Sequence, residues 1–226
     1  MRSRLIGVAV AGALAMTLVS VGTAGARGGN AVLNVVHGIP GVDVNVCVNG
    51  AAAIPDFKPG DVATGVELPE GSYDVKIVAA ADTCDDAAIL EASGVALKAG
   101  KNYTAVANLN ANGDPNIKLF TNKVAPVKAG KARLTVRHTA AAPAVNVWAN
   151  GSVLIGGNDF VWGESATVAV PKGSYRVKVT LPGQTAPVIG PATLKLKTGF
   201  AYQVYAWGNG TDGYSVAVVA TKVGKK

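Results

Sequence analysis

The stretch VDVNVCVNG, from Val42 to Gly50, sets valine at every second position: Val42, Val44, Val46 and Val48, with Asp43, Asn45 and Cys47 between them. Side chains of an extended chain alternate between two faces, so this spacing predicts a strand that is apolar on one face and polar on the other. Asn49-Gly50 follows at once, and that dipeptide supplies the two positive φ angles of a tight hairpin turn. The chain is read from here outward as β-structure.

The same sentence is written twice. Ala31 to Gly50 matches Ala132 to Gly151 at nine of twenty positions without a gap, keeping His37/His138, Val-Asn-Val and Asn-Gly while changing Cys47 to Trp148. LPEGSYDVKI (Leu68–Ile77) returns as VPKGSYRVKV (Val170–Val179), and LKAGKNY (Leu97–Tyr103) as LKTGFAY (Leu196–Tyr202). An offset that stays near one hundred residues implies duplication, hence two domains. The expected boundaries are 31–124 and 132–223, joined by a linker over 125–131. Each unit shows short alternating runs punctuated by turn residues and no amphipathic helical stripe. The expected fold is therefore all-β, two tandem antiparallel β-sandwich domains of seven or eight strands each.

The N-terminal residues place Arg2 and Arg4 before an apolar run from Leu5 to Val21 and the small residues Ala24-Gly25-Ala26. That order is the pattern of a secretory signal peptide, 1–26, cleaved after Ala26. No cysteine near that point marks a lipoprotein, and the C-terminal VATKVGKK has no hydrophobic tail. The expectation is a secreted chain, extracellular or cell-wall associated, with no transmembrane span after cleavage.

The strand ending in His, the Val-Asp/Asn-Val run, Asn-Gly, Gly-Ser-Tyr-x-Val-Lys and Leu-Lys-x-Gly-x-x-Tyr together resemble the secreted bacterial family known as domain of unknown function 4397. The resemblance covers Ala31 to about Val124 and Ala132 to about Val223. It implies an extracellular immunoglobulin-like or transthyretin-like sandwich with no assigned catalysis. The Ser-Pro-x-Ala-Pro that usually follows the family's histidine is replaced here by Gly38-Ile39-Pro40-Gly41 and by Thr139-Ala140-Ala141-Ala142-Pro143.

An exported chain with two cysteines, both in the first repeat, is expected to join them as a Cys47–Cys84 disulfide. Parity puts Cys47 on the polar face of its strand. The bond would then pin the loop AAADTCDDAA, about three residues longer than its counterpart TLPGQTAPV in the second repeat, against the outside of the sheet. Position 47/148 is thus where each copy covers an exposed sheet face in its own way.

Catalytic and metal patterns are weak. His37 and His138, the only histidines, sit in different domains without a neighbouring Cys/His/Asp cluster, and are read as structural groups closing a strand end. Ser165 in WGESAT lacks the final glycine of a nucleophile elbow. NLNANGDPN, with Asn108, Asn110 and Asn112, lacks the acidic ligands of a calcium loop and is read as a hairpin. No enzyme activity, cofactor or metal is expected.

Charge and aromatic residues are unevenly divided. Residues 31–124 carry six Lys and eleven Asp/Glu, net −5, and residues 125–226 twelve Lys/Arg and three Asp/Glu, net +9. Trp148, Trp162 and Trp207 all lie in the second repeat, with Tyr205 and Tyr214. Such asymmetry bears on association, whether of the domains with one another or of the second repeat with an anionic partner. Aromatics on a polar sheet face can stack on sugar rings, replace the disulfide as local cover, or pack in a domain contact. The expected function is a non-catalytic cell-envelope binding module. Its contact surface would involve Trp148, Tyr205, Trp207, Lys195 and Lys197, and its partner an anionic wall polymer, a glycan or a surface protein. Nucleic acid is not expected. The alternative is a self-associating envelope component, acidic first repeat to basic second repeat.

Overall fold

The computed structural model describes residues 29–156 and 160–226; the 1–26 signal segment lies outside the described residues. Two compact units divide between Lys123 and Val124. The first contains β1 (Asn30–Gly38), β2 (Val44–Val48), β3 (Ala51–Phe57), β4 (Val62–Pro69), β5 (Gly71–Ala79), β6 (Leu90–Leu97), β7 (Asn102–Leu109) and β8 (Pro115–Asn122). The second repeats the order with β9 (Lys131–His138), β10 (Asn146–Ala149), β11 (Ser152–Ile155), β12 (Ser165–Pro171), β13 (Gly173–Thr180), β14 (Pro187–Leu196), β15 (Phe200–Asn209) and β16 (Gly213–Lys222). No helix among the described residues is long and apolar enough to cross a membrane.

Each unit is a sandwich of two four-stranded sheets. The first pairs β4-β1-β7-β8 with β3-β2-β5-β6, and the second pairs β12-β9-β15-β16 with β11-β10-β13-β14. Within each unit one pairing is parallel, β1 with β7 and β9 with β15, and the others are antiparallel. Two all-β sandwich domains are what the alternation and the duplication predict. The strand at VDVNVCVNG begins at Val44, not Val42, because the Val42 carbonyl is held by His37 near the end of β1. Within 125–131, Val127 is buried and bridges Lys225, so this part of the expected linker is built into the second unit.

The repeated residues hold the frame. Asn49 (φ 49°) and Gly50 (φ 79°), like Asn150 (φ 50°) and Gly151 (φ 86°), make the β2–β3 and β10–β11 turns. The Asn49 and Asn150 side-chain oxygens then accept the backbone N–H of Asp74 and Arg176, tying each hairpin to the next strand. His37 is wholly buried; its Nε2–H donates to the Val42 carbonyl at 2.8 Å and its ring stacks on Phe57. His138 does the same to the Pro143 carbonyl at 2.9 Å, beside Phe160. A carbonyl acceptor fixes the proton on Nε2 in both rings, and burial lowers the pKa of both below the usual 6.5. Where the chain crosses from one sheet to the other, Tyr73 donates its hydroxyl proton to the Pro69 carbonyl and Tyr175 to that of Pro171, both at 2.7 Å. At the next crossing Tyr103 and Tyr202 accept from the N–H of Lys98 and Lys197. These contacts bond backbone groups at the corners where the chain passes between the sheets.

Candidate binding face

With the shared residues engaged in the frame, the positions where the copies differ become informative. Cys47 and Trp148 occupy equivalent sites, each directly across from a lysine: Cys47 from Lys76, Trp148 from Lys178. In the first repeat the Cys47–Cys84 disulfide forms. It draws the 80–89 loop over the outer face of the sheet, and Cys47 is 0% exposed. Lys76 extends beneath the loop, donates to the Cys84 carbonyl at 2.9 Å and lies 3.9 Å from Glu91. Asn45 ties the same loop by donating to the carbonyls of Ala80 and Asp82.

In the second repeat the indole takes over the covering role. Trp148 is half-buried, its Nε1–H donates to the Thr180 hydroxyl at 3.0 Å, and the Lys178 ammonium sits 5.0 Å from its ring centre. Lys178 also donates to the Thr185 carbonyl of the shorter loop, as Lys76 does to that of Cys84. On the edge strand β11, Val153 stands opposite Trp148 and is 47% exposed. The sheet face is therefore covered at one point and open around it.

Register gathers further charge on that face. Ser174, Arg176 and Lys178 alternate along β13 on the side away from the core, and the pairings Arg176↔Thr193 and Ser174↔Lys195 bring Lys195 to the same side. Arg176, Lys195 and Lys197 are exposed. The first repeat has Asp74 where the second has Arg176, and Ala96 where the second has Lys195, with Glu91 beside Lys76 and Asp82, Asp85 and Asp86 in the covering loop. One face of one fold thus has opposite character in the two copies. Arg176 and Lys178 were not among the residues expected from sequence; the Tyr-Asp-Val-Lys to Tyr-Arg-Val-Lys change inside the repeated motif was the available signal.

The other expected aromatics are elsewhere. Tyr205 and Trp207 lie on β15, in the other sheet of the same unit. Tyr205 is 0% exposed; the Arg137 guanidinium donates to its hydroxyl and stacks on its ring at 5.3 Å. This corrects the expectation that Tyr205 belongs to an exposed stacking surface: parity gives the direction of the side chain, and burial closes it to a ligand. Trp207 is half-buried, and its indole N–H has no hydrogen-bond partner among the described residues. The five expected residues therefore separate into two sets, Trp148 with Lys195 and Lys197, and Tyr205 with Trp207.

The asparagine-rich stretch is a hairpin turn. Asn110 accepts the N–H groups of Asn112 and Asp114 through its side-chain oxygen, as Asn209 does those of Thr211 and Asp212. An oxygen engaged in this way closes its own loop.

No curated protein matches the chain. A family model described as domain of unknown function (DUF4397) matches residues 31–148, which runs through the first repeat into the second and covers just over half of the chain. The chain thus belongs to the DUF4397 family.

Proposed function

We propose that this protein is an exported, non-catalytic binding module of the cell envelope, whose contact surface is the outer face of β10, β11, β13 and β14. Its partner would be an anionic wall polymer or glycan. The observation that carries the reading is the shift toward positive charge at equivalent positions, Asp74 to Arg176 and Ala96 to Lys195, around a tryptophan that replaces a disulfide. Both copies keep the residues of the shared frame; on the divergent face Asp74 also accepts the Gly94 N–H at 2.9 Å, a bond that Arg176 has no carboxylate to make. Arg and Lys beside an indole and an exposed valine offer charge attraction, stacking area and an apolar contact together. Export is supported by the Arg-flanked apolar leader ending in Ala24-Gly25-Ala26 and by the disulfide.

The test is binding of residues 27–226 to purified cell-wall material and to anionic vesicles at low and high salt. The wild-type chain is compared with Arg176→Asp/Lys195→Ala, which restores the first repeat's residues, and with Trp148→Ala. Salt-sensitive binding lost in the charge variant supports the reading; binding indifferent to both variants overturns it. The acidic counterpart on the first repeat favours a second reading, association between copies through oppositely charged faces. Salt-reversible growth of light scattering with concentration, abolished by the same charge variant, is its signature.

A further inference from the structure

A second feature of the basic repeat is internal and shares only the Lys195 side chain with the face just described. A cavity of about 90 Å³ lies between its two sheets. Its wall includes Val147, Val177 and Val179 from one sheet and Leu134, Val204 and Val218 from the other. On the side of the sandwich formed by β11 and β12, Ile155, Phe160 and Val170 are buried and Leu154, which also lines the cavity, is half-exposed. On the opposite side, Leu194 of β14 and Val216 and Val218 of β16 line the cavity and remain half-exposed. More of the lining is exposed between these two edge strands than on the β11 side.

We propose that this space receives the straight alkyl chain of an anionic amphiphile, inserted between β14 and β16. The wall chooses the chain. Lys178 and Thr193 belong to it, but register turns their side chains to the outer face, and the remaining wall is almost wholly aliphatic. Apart from the buried Nδ1 of His138, a sugar or peptide would find no partners for its polar groups there. Apolar voids stay dry and take apolar guests, and one of about 150 Å³ accepts benzene. At about three-fifths of that size, this cavity suits an unbranched segment of about four carbons. The rim chooses the headgroup. Lys195 follows Leu194 on β14, Lys222 ends β16, and neither strand carries an Asp or Glu. The 197–199 turn and the Phe200↔Lys222 pairing put both lysines at the same end of the opening.

Calorimetric titration of residues 27–226 with straight-chain carboxylates of six to twelve carbons, below their micelle concentrations, tests this. Affinity should rise about fourfold per carbon over roughly four carbons, the number the cavity holds, and then level off. At low salt carboxylates should bind more tightly than alcohols of equal length, and alkyltrimethylammonium ions least. Val204→Phe, which fills the cavity, should weaken binding at least tenfold. Val218→Ala, which enlarges it, should move the plateau to longer chains and serves also if the filled variant does not fold. Absence of binding, affinity independent of chain length, or a plateau unmoved by Val218→Ala overturns the proposal.

Discussion

Replacing both cysteines of the first repeat by alanine isolates what the Cys47–Cys84 bond does. The bond links residues 37 apart. In the chain-entropy treatment that loop restricts the unfolded state by about 4 kcal/mol at 25 °C. In a domain of this size each kcal/mol moves the melting point by about 4–8 °C, so the first repeat should lose roughly 15–30 °C. Hydrogen-exchange mass spectrometry during stepwise urea addition reads the effect locally, on peptides covering β2 and β5 and on the 80–89 loop. Protection should fall first in the loop and then in the two strands, since Cys47 is buried only because the loop lies over it. The loop has its own ties: Asp86 accepts from the backbone and hydroxyl of Thr83, and Asn45 donates to two of its carbonyls. A loss below about 1 kcal/mol, within the low end of measured disulfide effects, would mean that these bonds hold the loop unaided, and would refute the view that the cross-link creates the cover.

In the second repeat, Trp148→Ala should cost about 1–2 kcal/mol in urea unfolding, less than the 3–5 of a fully buried aromatic, because the indole is half-buried. Burial holds His37 and His138 below 6.5, so between 6.5 and the lower folded-state pKa the unfolded chain binds more protons. Their contribution is complete above pH 6.5 and is lost as pH falls through that window; thermal midpoints should decline from pH 7.5 toward 5, and His37→Gln/His138→Gln should flatten the slope. A Cβ at Gly50 would meet no atom within 4 Å, so Gly50→Val isolates backbone strain at φ +79°. It should destabilise by about 1–2 kcal/mol, measured beside Ala51→Val as a control at a neighbouring exposed strand position.

What could be seen from the sequence is what is local. Asn49-Gly50 specifies its turn through two adjacent residues, and the histidine reaches a carbonyl five residues away, so recurrence of the short motifs was enough to locate the strands and corners. Cys47 and Tyr205 show where that logic stops. Alternation gives the side of the sheet a residue occupies, but whether that side meets solvent depends on what covers it, and both residues are fully buried. The basic face needed register as well. Trp148, Arg176 and Lys195 span nearly fifty residues of sequence, and only the pairings Trp148↔Lys178 and Ser174↔Lys195 place them on one surface.

The duplication nevertheless separates two kinds of constraint within a single chain. At His37/His138, Asn49/Asn150, Tyr73/Tyr175 and Tyr103/Tyr202 the copies agree, and in each pair both members make the same hydrogen bond to the backbone. At 47/148, 74/176 and 96/195 they disagree, and all three positions fall on the outer face of the corresponding sheet. A requirement common to both copies cannot account for the reversal of charge at 74/176, and the Asp74 bond to the Gly94 N–H explains the aspartate of the first repeat but not the arginine of the second. A partner that meets only one copy, or that meets the two with opposite faces, can. That is why the charge-restoring substitutions, Arg176→Asp with Lys195→Ala, test function with little cost to the frame: the first repeat already carries those residues on the same strands, with the same hairpin asparagine bonded to the backbone N–H of Asp74.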